Sequence, residues 1–446
     1  MKKSRYNIFI NKSQITICYN SFTDSFLVMP SNICTQFDSL ELPVFCKMYP
    51  KYYDNFMETG FVIPDERDEL SILRLRYKTE AFNSRNYTLM IYPTQDCNLK
   101  CWYCYENHVP KSAMNQEIQE RVVKHINSKI DNDEIDSLHV IFFGGEPLMY
   151  FNKIAYPLSM ALKKTMTIRN KSFSAFFITN GTLITENVIE QMKDIMPFFQ
   201  ITIDGYRDKH DQVRIGKLNN MPTYDRIIKA VHYITENLES PIENTSRIVN
   251  LRINYDNETL KHIEDIVKDI QDINRDKISI HFERVWQTKK DADDEQRKLL
   301  IDAMKLCTYN GFVVDHGLFR QRSVSCPSET SLFAIINYNG LVYRCNGRNL
   351  TEDTNEGYLN YDGEITWNHD KIARRLGNTT FENPMCIECK MLPFCMGPCS
   401  QKNIENDWKN LDEVCSLNAI DISLTEYITL DFEMRYLLKQ AEKITL

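Results

Sequence analysis

The chain has no run of about 18 consecutive apolar residues, the length a membrane-spanning helix needs. Its start, Met1-Lys2-Lys3-Ser4-Arg5, is basic like the first part of a secretory signal. However, Tyr6 to Ile17 is interrupted by Asn7, Asn11, Lys12, Ser13 and Gln14, so no apolar signal core follows. Positive charge is in deficit: 53 Lys and Arg stand against 61 Asp and Glu, for a net charge of -8. That balance argues against nucleic acid as the main partner. The expectation is a cytoplasmic protein with neither a membrane nor a nucleic acid as partner. Cysteine is missing from residues 105–306 and crowded elsewhere. Of 14 cysteines, Cys18, Cys34 and Cys46 are scattered with no spacing of a ligand set, Cys97, Cys101 and Cys104 sit together, and the remaining eight follow residue 306. A reducing cytosol argues against disulfides. The distribution reads as two metal regions on either side of a cysteine-free stretch.

What is present is ordinary for a globular protein of two or three domains: 446 residues, 43% hydrophobic and 26% charged. Residues 1–85 read as a small α+β module. Short strands are expected over Tyr6–Ile10, Gln14–Tyr19 and Ser25–Met29, a helix near Tyr52–Glu58, a strand at Phe61–Ile63 and a connecting helix over Asp68–Ala81. Such a module serves either as a docking cap or as a strand edge offered to a peptide. From residue 86 to 310 strand and helix patterns alternate. Strands are expected at Tyr87–Tyr92, Leu138–Phe143, Ala175–Thr179, Gln200–Asp204, Ile248–Asn254 and Ile278–Phe282. Helices are expected at Asn115–Ile130, Leu183–Ile195, Tyr224–Glu236, Leu260–Ile273 and Ala292–Cys307. Six such units predict a parallel sheet with outer helices, either doubly wound or a full or partial barrel, with ligands at the carboxyl ends of the strands. Residues 311–446 lose this alternation, gather cysteines and turns, and end in a helix over Ala419–Ile444; metal would staple such a region.

Just past the first strand, Cys97-x3-Cys101-x2-Cys104 supplies three thiols in eight residues. Zinc and a cubane iron–sulfur cluster both ask for four ligands. Three leave either one iron open to another molecule, an incomplete zinc site, or a chance cluster. The second strand runs into Gly144-Gly145-Glu146-Pro147, where two glycines let backbone approach a ligand and the carboxylate can take an ammonium group. The third and fourth strands end in Asn180-Gly181-Thr182 and Asp204-Gly205. Each alone is ordinary turn chemistry; four at one mouth are not.

The triad, with Tyr103 before its last cysteine, followed by Gly144-Gly145-Glu146-Pro147, resembles the radical S-adenosylmethionine superfamily over about residues 86–290. The resemblance implies a partial (β/α)6 barrel, a [4Fe-4S] cluster on Cys97, Cys101 and Cys104, and S-adenosylmethionine on its open iron. Gly144 to Pro147 would receive the methionine amino group and the Tyr103 region would lie by the adenine. Thr202, where relatives usually carry Ser, and Arg214 would contact ribose and carboxylate, with Asn180 and Asp204 alongside. A flavodoxin or ferredoxin would supply the electron. The second cysteine region, Cys326-x13-Gly340-x4-Cys345, then Cys386-x2-Cys389-x5-Cys395-x3-Cys399 and Cys415, resembles the SPASM extension of the same superfamily. That implies two auxiliary [4Fe-4S] clusters, one on Cys386, Cys389, Cys395 and Cys415, the other on Cys326, Cys345 and Cys399. The latter set is one short. Relatives place a further cysteine near the position of Arg320. Here Cys307 reaches back as the fourth ligand, or one iron stays open, or Cys307 is core.

Two substrate classes fit. One is a ribosomally made precursor peptide with a leader, which gains a thioether, carbon–carbon or carbon–oxygen crosslink or an epimerised residue. The other is a sulfatase in which Cys or Ser becomes formylglycine. Sulfatase maturases carry a carboxylate base right after the cysteine of the G-x4-C element; this chain has Asn346, which is no base at neutral pH. Peptide maturation is the favoured expectation. A non-catalytic iron–sulfur scaffold or redox sensor stands as the alternative outside catalysis.

Overall fold

A computed structural model describes residues 1–218, 220–242, 245–285, 293–315, 321–406, 414–419 and 421–444. It contains two compact units. The first comprises residues 1–83, 318–330 and 374–440, and the second residues 84–317, 331–373 and 441–446.

The second unit is built on one eleven-stranded sheet. Strands β6 (Asn86–Ile91), β7 (Ser137–Phe142), β8 (Ser172–Thr179), β9 (Phe198–Ile203), β10 (Val249–Tyr255), β11 (Ile278–Arg284) and β12 (Val313–Asp315) lie side by side in chain order. All six pairings are parallel. Right-handed crossovers with no reversal of strand order put every connecting helix on one face. The strands obey this by alternation: on β7, Leu138, Val140 and Phe142 are buried while His139 and Ile141 are half-buried on the other side. A sheet covered on one face curls about the other, which gives a barrel rather than a doubly wound sheet. The barrel stays open, because β6 pairs on its outer edge with β13 (Phe333–Ile336) instead of β12. Antiparallel β14 (Leu341–Tyr343), β15 (Gly357–Leu359) and β16 (Ile365–Trp367) continue the sheet from there.

The six expected strands all appear, each within three residues of its expected start and end. Strands β12 and β13 were not expected, nor the helix Tyr156–Ile168. The single helix expected over Leu260–Ile273 is instead two, Asn257–Lys261 and Ile263–Asp269, broken at His262. The helix expected from Ala292 is seen over Asp294–Tyr309; Ala292 and Arg320 lie outside the described residues.

In the first unit, β2 (Asn7–Lys12), β3 (Ile15–Asn20) and β4 (Ser25–Pro30) form an antiparallel sheet in chain order, and β1 (Lys2–Lys3) pairs with β5 (Val62–Ile63). Helices Ser31–Ser39, Leu42–Met48 and Pro50–Glu58 follow. Phe37 joins the module core by stacking on Phe56 at 4.3 Å and meeting Phe45 edge-on at 5.3 Å. Cys18 and Cys34, far apart in sequence pattern, meet in this core with their sulfurs 3.4 Å apart. Helix Glu69–Asn83 packs Leu73, Tyr77 and Ala81 against Phe381, Cys386, Leu392 and Met396. The N-terminal module and most of the cysteine-rich region therefore share one core. Among the described residues no helix is long and apolar enough to cross a membrane.

Candidate functional site

The carboxyl ends of β6 to β9 surround one cavity in the second unit. Its lining includes Cys97, Cys101, Cys104, Tyr103, Gly144, Gly145, Asn180, Thr202 and Arg214. Residues proposed from separate motifs are thus brought to one place, and the local reasons can be followed loop by loop.

The loop after β6 is held rigidly before it reaches the thiols. Asp96 accepts hydrogen bonds from the amides of Cys97 (2.9 Å) and Lys111 (2.8 Å) and from Lys217 (3.3 Å). Burial would raise its pKa, but these donors win and hold it below the usual carboxylate value. Residues 98–100 then pair with 215–217 as a short antiparallel bridge: Lys100 N–H donates to Ile215 O (2.9 Å) and Lys217 N–H to Asn98 O (2.8 Å). Gly144 and Gly145 pack directly on this loop. Gly144 has a φ of +106°, and a Cβ on Gly145 would stand 2.0 Å from the carbonyl oxygen of Asp96. The sequence-level reason for two glycines was approach to a ligand; the structure adds a second, approach to the triad's own backbone.

Glu146 is fully buried and its carboxylate is used internally. It accepts from Leu148 N–H (2.9 Å), Thr179 Oγ1 (2.7 Å) and Asn180 N–H (2.8 Å), so it ties the ends of β7 and β8 together. Burial raises its pKa against those three donors. Pro147 opens the short helical turn Pro147–Tyr150 that Glu146 caps. Asn180 donates to Asn98 (2.9 Å), and Asn98 donates to Thr182 (2.8 Å). At the ends of β9 and β10 a second network forms. The buried Asp204 carboxylate accepts from Tyr103 Oη (2.8 Å), Arg214 Nε (2.7 Å) and Asn254 Nδ2 (2.8 Å). Asn254 also donates to Tyr103 Oη at 3.0 Å. Burial lifts the Tyr103 phenol well above its usual range, so it stays a donor. A smaller recess beside it is lined by Trp102, Tyr103, Asp204, Lys209, Asn254 and Tyr255.

Burial pushes the Cys97 thiol up to about 12, with the Glu146 charge adding to it, and Cys104 up to about 11; Cys101 is raised by burial against the pull of Arg214. Metal binding to such thiols releases protons. Four sulfurs around one zinc would lie within roughly 4 Å of one another. Among the described residues no three His, Cys, Asp or Glu side chains are gathered tightly enough to hold a single ion. The three thiols line one cavity as a soft donor set, of the kind that zinc or an iron–sulfur cluster takes.

In the first unit Cys386, Cys389, Cys395 and Cys415 lie within electrostatic reach of one another, and burial takes Cys386 and Cys395 up to about 12. Three of these sulfurs accept hydrogen bonds: Cys386 from Asn383 (3.2 Å), Cys389 from Met391 N–H (3.4 Å) and Cys395 from Gly397 N–H (3.4 Å). Cys326 and Cys399 sense each other in the same unit. Cys345 belongs to the second unit, near Tyr92 and Tyr105. Cys307 is fully buried on its helix with Ala303 and Met304, and burial alone lifts it to about 12. Sequence reasoning missed Asn98, His210 and Asn254. Asn254 ended an expected strand and could have been flagged on that ground; the others show their role only in three dimensions.

The open parallel barrel thus sets three thiols beside a strand-end cavity, an arrangement able to hold a metal and a small molecule side by side. Residues 91–270 match the Radical SAM superfamily model, so this part of the chain is a Radical SAM domain. An uncharacterized protein of Methanocaldococcus jannaschii, MJ0907, is 29% identical over 39% of this chain and 57% of its own length. A serine-type anaerobic sulfatase-maturating enzyme of Bacteroides thetaiotaomicron is 29% identical over 31% of this chain, and the match spans 34% of that enzyme. The radical SAM cyclopropyl synthase TigE of Paramaledivibacter caminithermalis is 23% identical over 78% of this chain and 75% of TigE. In fold, the chain is similar to anSMEcpe solved with AdoMet and the Kp18Cys peptide, with a TM-score of 0.57, 21% identity, and coverage of 80% of this chain and 99% of that one.

Proposed function

We propose that this chain is a radical S-adenosylmethionine maturase acting on a ribosomally made precursor peptide. It would install a thioether, carbon–carbon or carbon–oxygen crosslink or epimerise a residue. With a [4Fe-4S] cluster and S-adenosylmethionine bound in the cavity, the site would supply a 5′-deoxyadenosyl radical for hydrogen-atom removal from the substrate. The observation that carries this reading is the single cavity that brings three thiols together with Gly144, Gly145, Asn180, Thr202 and Arg214. Cys97, Cys101 and Cys104 would hold the cluster. Arg214, held by Asp204, would meet the cofactor carboxylate, and Thr202 its ribose. Auxiliary clusters on the later cysteines are part of the same reading. The mutual reach of Cys386, Cys389, Cys395 and Cys415 supports one of them. The burial of Cys307 among apolar neighbours favours a packing role and an open iron in the other.

The peptide substrate is supported by the N-terminal module. Among the described residues β4 pairs only with β3, so its outer edge is available to an added strand such as a leader peptide. The sulfatase-maturase reading draws on the Bacteroides relative; Asn346 in place of a carboxylate weighs against it. A cytoplasmic location and a flavodoxin or ferredoxin donor complete the proposal. Anaerobic incubation of reconstituted protein with dithionite and S-adenosylmethionine tests the class, and absence of 5′-deoxyadenosine sinks it in favour of a scaffold or sensor. Co-expression with short open reading frames beside the gene, read by mass spectrometry, tests the substrate. Loss of two hydrogens per site marks a crosslink, and deuterium uptake without net change marks epimerisation. A sulfatase peptide converted to formylglycine would replace the peptide reading.

A further inference from the structure

We infer that His210 and Thr223 form a neutral hydrogen-bond relay that positions Arg214 for the cofactor carboxylate, although neither residue lines the cavity. The inference rests on the cofactor-binding part of the reading above.

His210 is completely buried. Its Nδ1 accepts the backbone N–H of Asp204 at 3.1 Å, and its Nε2 lies 3.1 Å from Thr223 Oγ1. Thr223 Oγ1 donates its one proton to the carbonyl of Arg214 at 2.8 Å. The hydroxyl must therefore accept from Nε2–H. The two ends of the ring independently require the same tautomer, with Nδ1 bare and Nε2 protonated. Burial, with the Arg214 charge nearby, holds the imidazole far below its ordinary pKa, in keeping with that neutral form. Asp211 anchors the far side of the relay by accepting the amides of Thr223 (2.7 Å) and Tyr224 (2.9 Å).

The relay closes a circuit. One arm joins the Asp204 backbone to the Arg214 backbone through His210 and Thr223. The other joins their side chains through the 2.7 Å ion pair. Residue 214 sits just past helix Arg207–Val213, where the chain turns to form its bridge with Leu99. The Arg214 N–H already donates to His210 O at 2.8 Å, and the bridge to Leu99 follows two residues on. The Thr223 contact ties the carbonyl side of residue 214 as well, so the backbone is held on both sides and the ion pair holds the guanidinium, and the head group faces the cavity in one pose. His210 and Thr223 are positioning residues: they touch Asp204 and Arg214, not the cofactor.

The test uses the full chain, anaerobically reconstituted, with S-adenosylmethionine as the probe. Thr223→Val is close to isosteric and removes only the hydroxyl. It is expected to weaken S-adenosylmethionine binding about ten-fold, the scale of one hydrogen bond. It should also raise KM in 5′-deoxyadenosine formation more than it lowers kcat, and shrink the change that the cofactor makes in the reduced cluster's electron paramagnetic resonance spectrum. Thr223→Ser should restore all three. His210→Asn keeps an acceptor toward Asp204, but its shorter side chain cannot also bring its amide N–H to Thr223, so it should match Thr223→Val. The double variant should be no worse than either single one, because both break the same chain. A purely structural role would lower the melting temperature of Thr223→Val and leave affinity at the wild-type value, which overturns the inference. So would additive losses in the double variant. If the wild-type protein itself binds no S-adenosylmethionine, the cofactor reading falls and the relay falls with it; if wild type and Thr223→Val bind equally well, only the relay falls.

Discussion

Gly145→Ala isolates the packing of the Gly144-Gly145 turn on the triad loop. The new Cβ would lie 2.0 Å from the Asp96 oxygen and 2.4 Å from its carbonyl carbon, whereas a Cβ essentially never comes within 3.0 Å of another heavy atom. The contact is backbone on both sides, so no side chain can swing away, and the two segments must part by about 1 Å. That movement stretches Glu146 N–H to Asp96 O, now 2.9 Å, and Gly145 N–H to Thr94 O, now 3.2 Å, past hydrogen-bonding range. Two bonds at about 1 kcal/mol each and about 1–3 kcal/mol of overpacking strain give a destabilisation of about 3–5 kcal/mol. In a unit of this size that lowers the melting temperature by roughly 10 °C. Cys97 follows Asp96 directly, so the cluster would move with it, and a misplacement of about 1 Å costs on the order of 100-fold in rate. The assay pairs thermal unfolding with 5′-deoxyadenosine formation at a temperature where the variant is folded. Gly216→Ala is the control. It lies in the bridge to Leu99, but its added Cβ meets nothing closer than 3.6 Å, so near-wild-type behaviour is expected. Wild-type cleavage and melting in Gly145→Ala would refute the packing argument.

Replacing Cys97, Cys101 and Cys104 together with Ala should abolish cleavage and remove about a third of roughly twelve irons per chain; one or two zinc ions with little iron would refute the cluster assignment. Tyr103→Phe removes a donor to Asp204 and leaves Asn254 and Arg214 to hold that carboxylate. It should weaken S-adenosylmethionine binding by about ten-fold without loss of iron, checked by equilibrium binding. His125 sits nearly buried between Tyr87 Oη and Gly363 O, and burial lowers its pKa to about 4. An unfolded histidine takes up its proton near 6.5, so the stability this neutral ring contributes is complete above that pH and is lost as pH falls toward 4, by about 3 kcal/mol. Denaturant titrations of His125→Gln should show a flatter pH dependence over that window, and an unchanged slope would reject the assignment.

The strands of the barrel were legible because each is an apolar run with turn residues at its end. Strand β12 was not: it is three residues long with one well-buried side chain, Val314. Strand β13 was hidden for another reason, since its partner β6 lies some 240 residues earlier and no local pattern announces such a pairing. Tyr156-Pro157 reads locally as a turn, yet proline is welcome in the first turn of a helix, and the helix Tyr156–Ile168 begins there. At the site, the triad and the double glycine were readable because each is contiguous. Glu146 was read as free to meet an ammonium group, and its three internal partners come from β8 and its own turn, which only folding brings close. His210 and Thr223 are thirteen residues apart and share a function only because Asp204 and Arg214 stand between them.

The pairing of β6 with β13 has a consequence for how the chain is made. β6 is complete early in synthesis, but one of its edges stays unpaired until Ile336 has left the ribosome. Through that interval it presents Thr88 to Ile91 as an open template, mostly apolar and without charge, of the kind that captures stray strands. A fragment ending after β12 would keep that exposure for good. Such a fragment, residues 84–315, is expected to aggregate where one extended through β16 stays in solution.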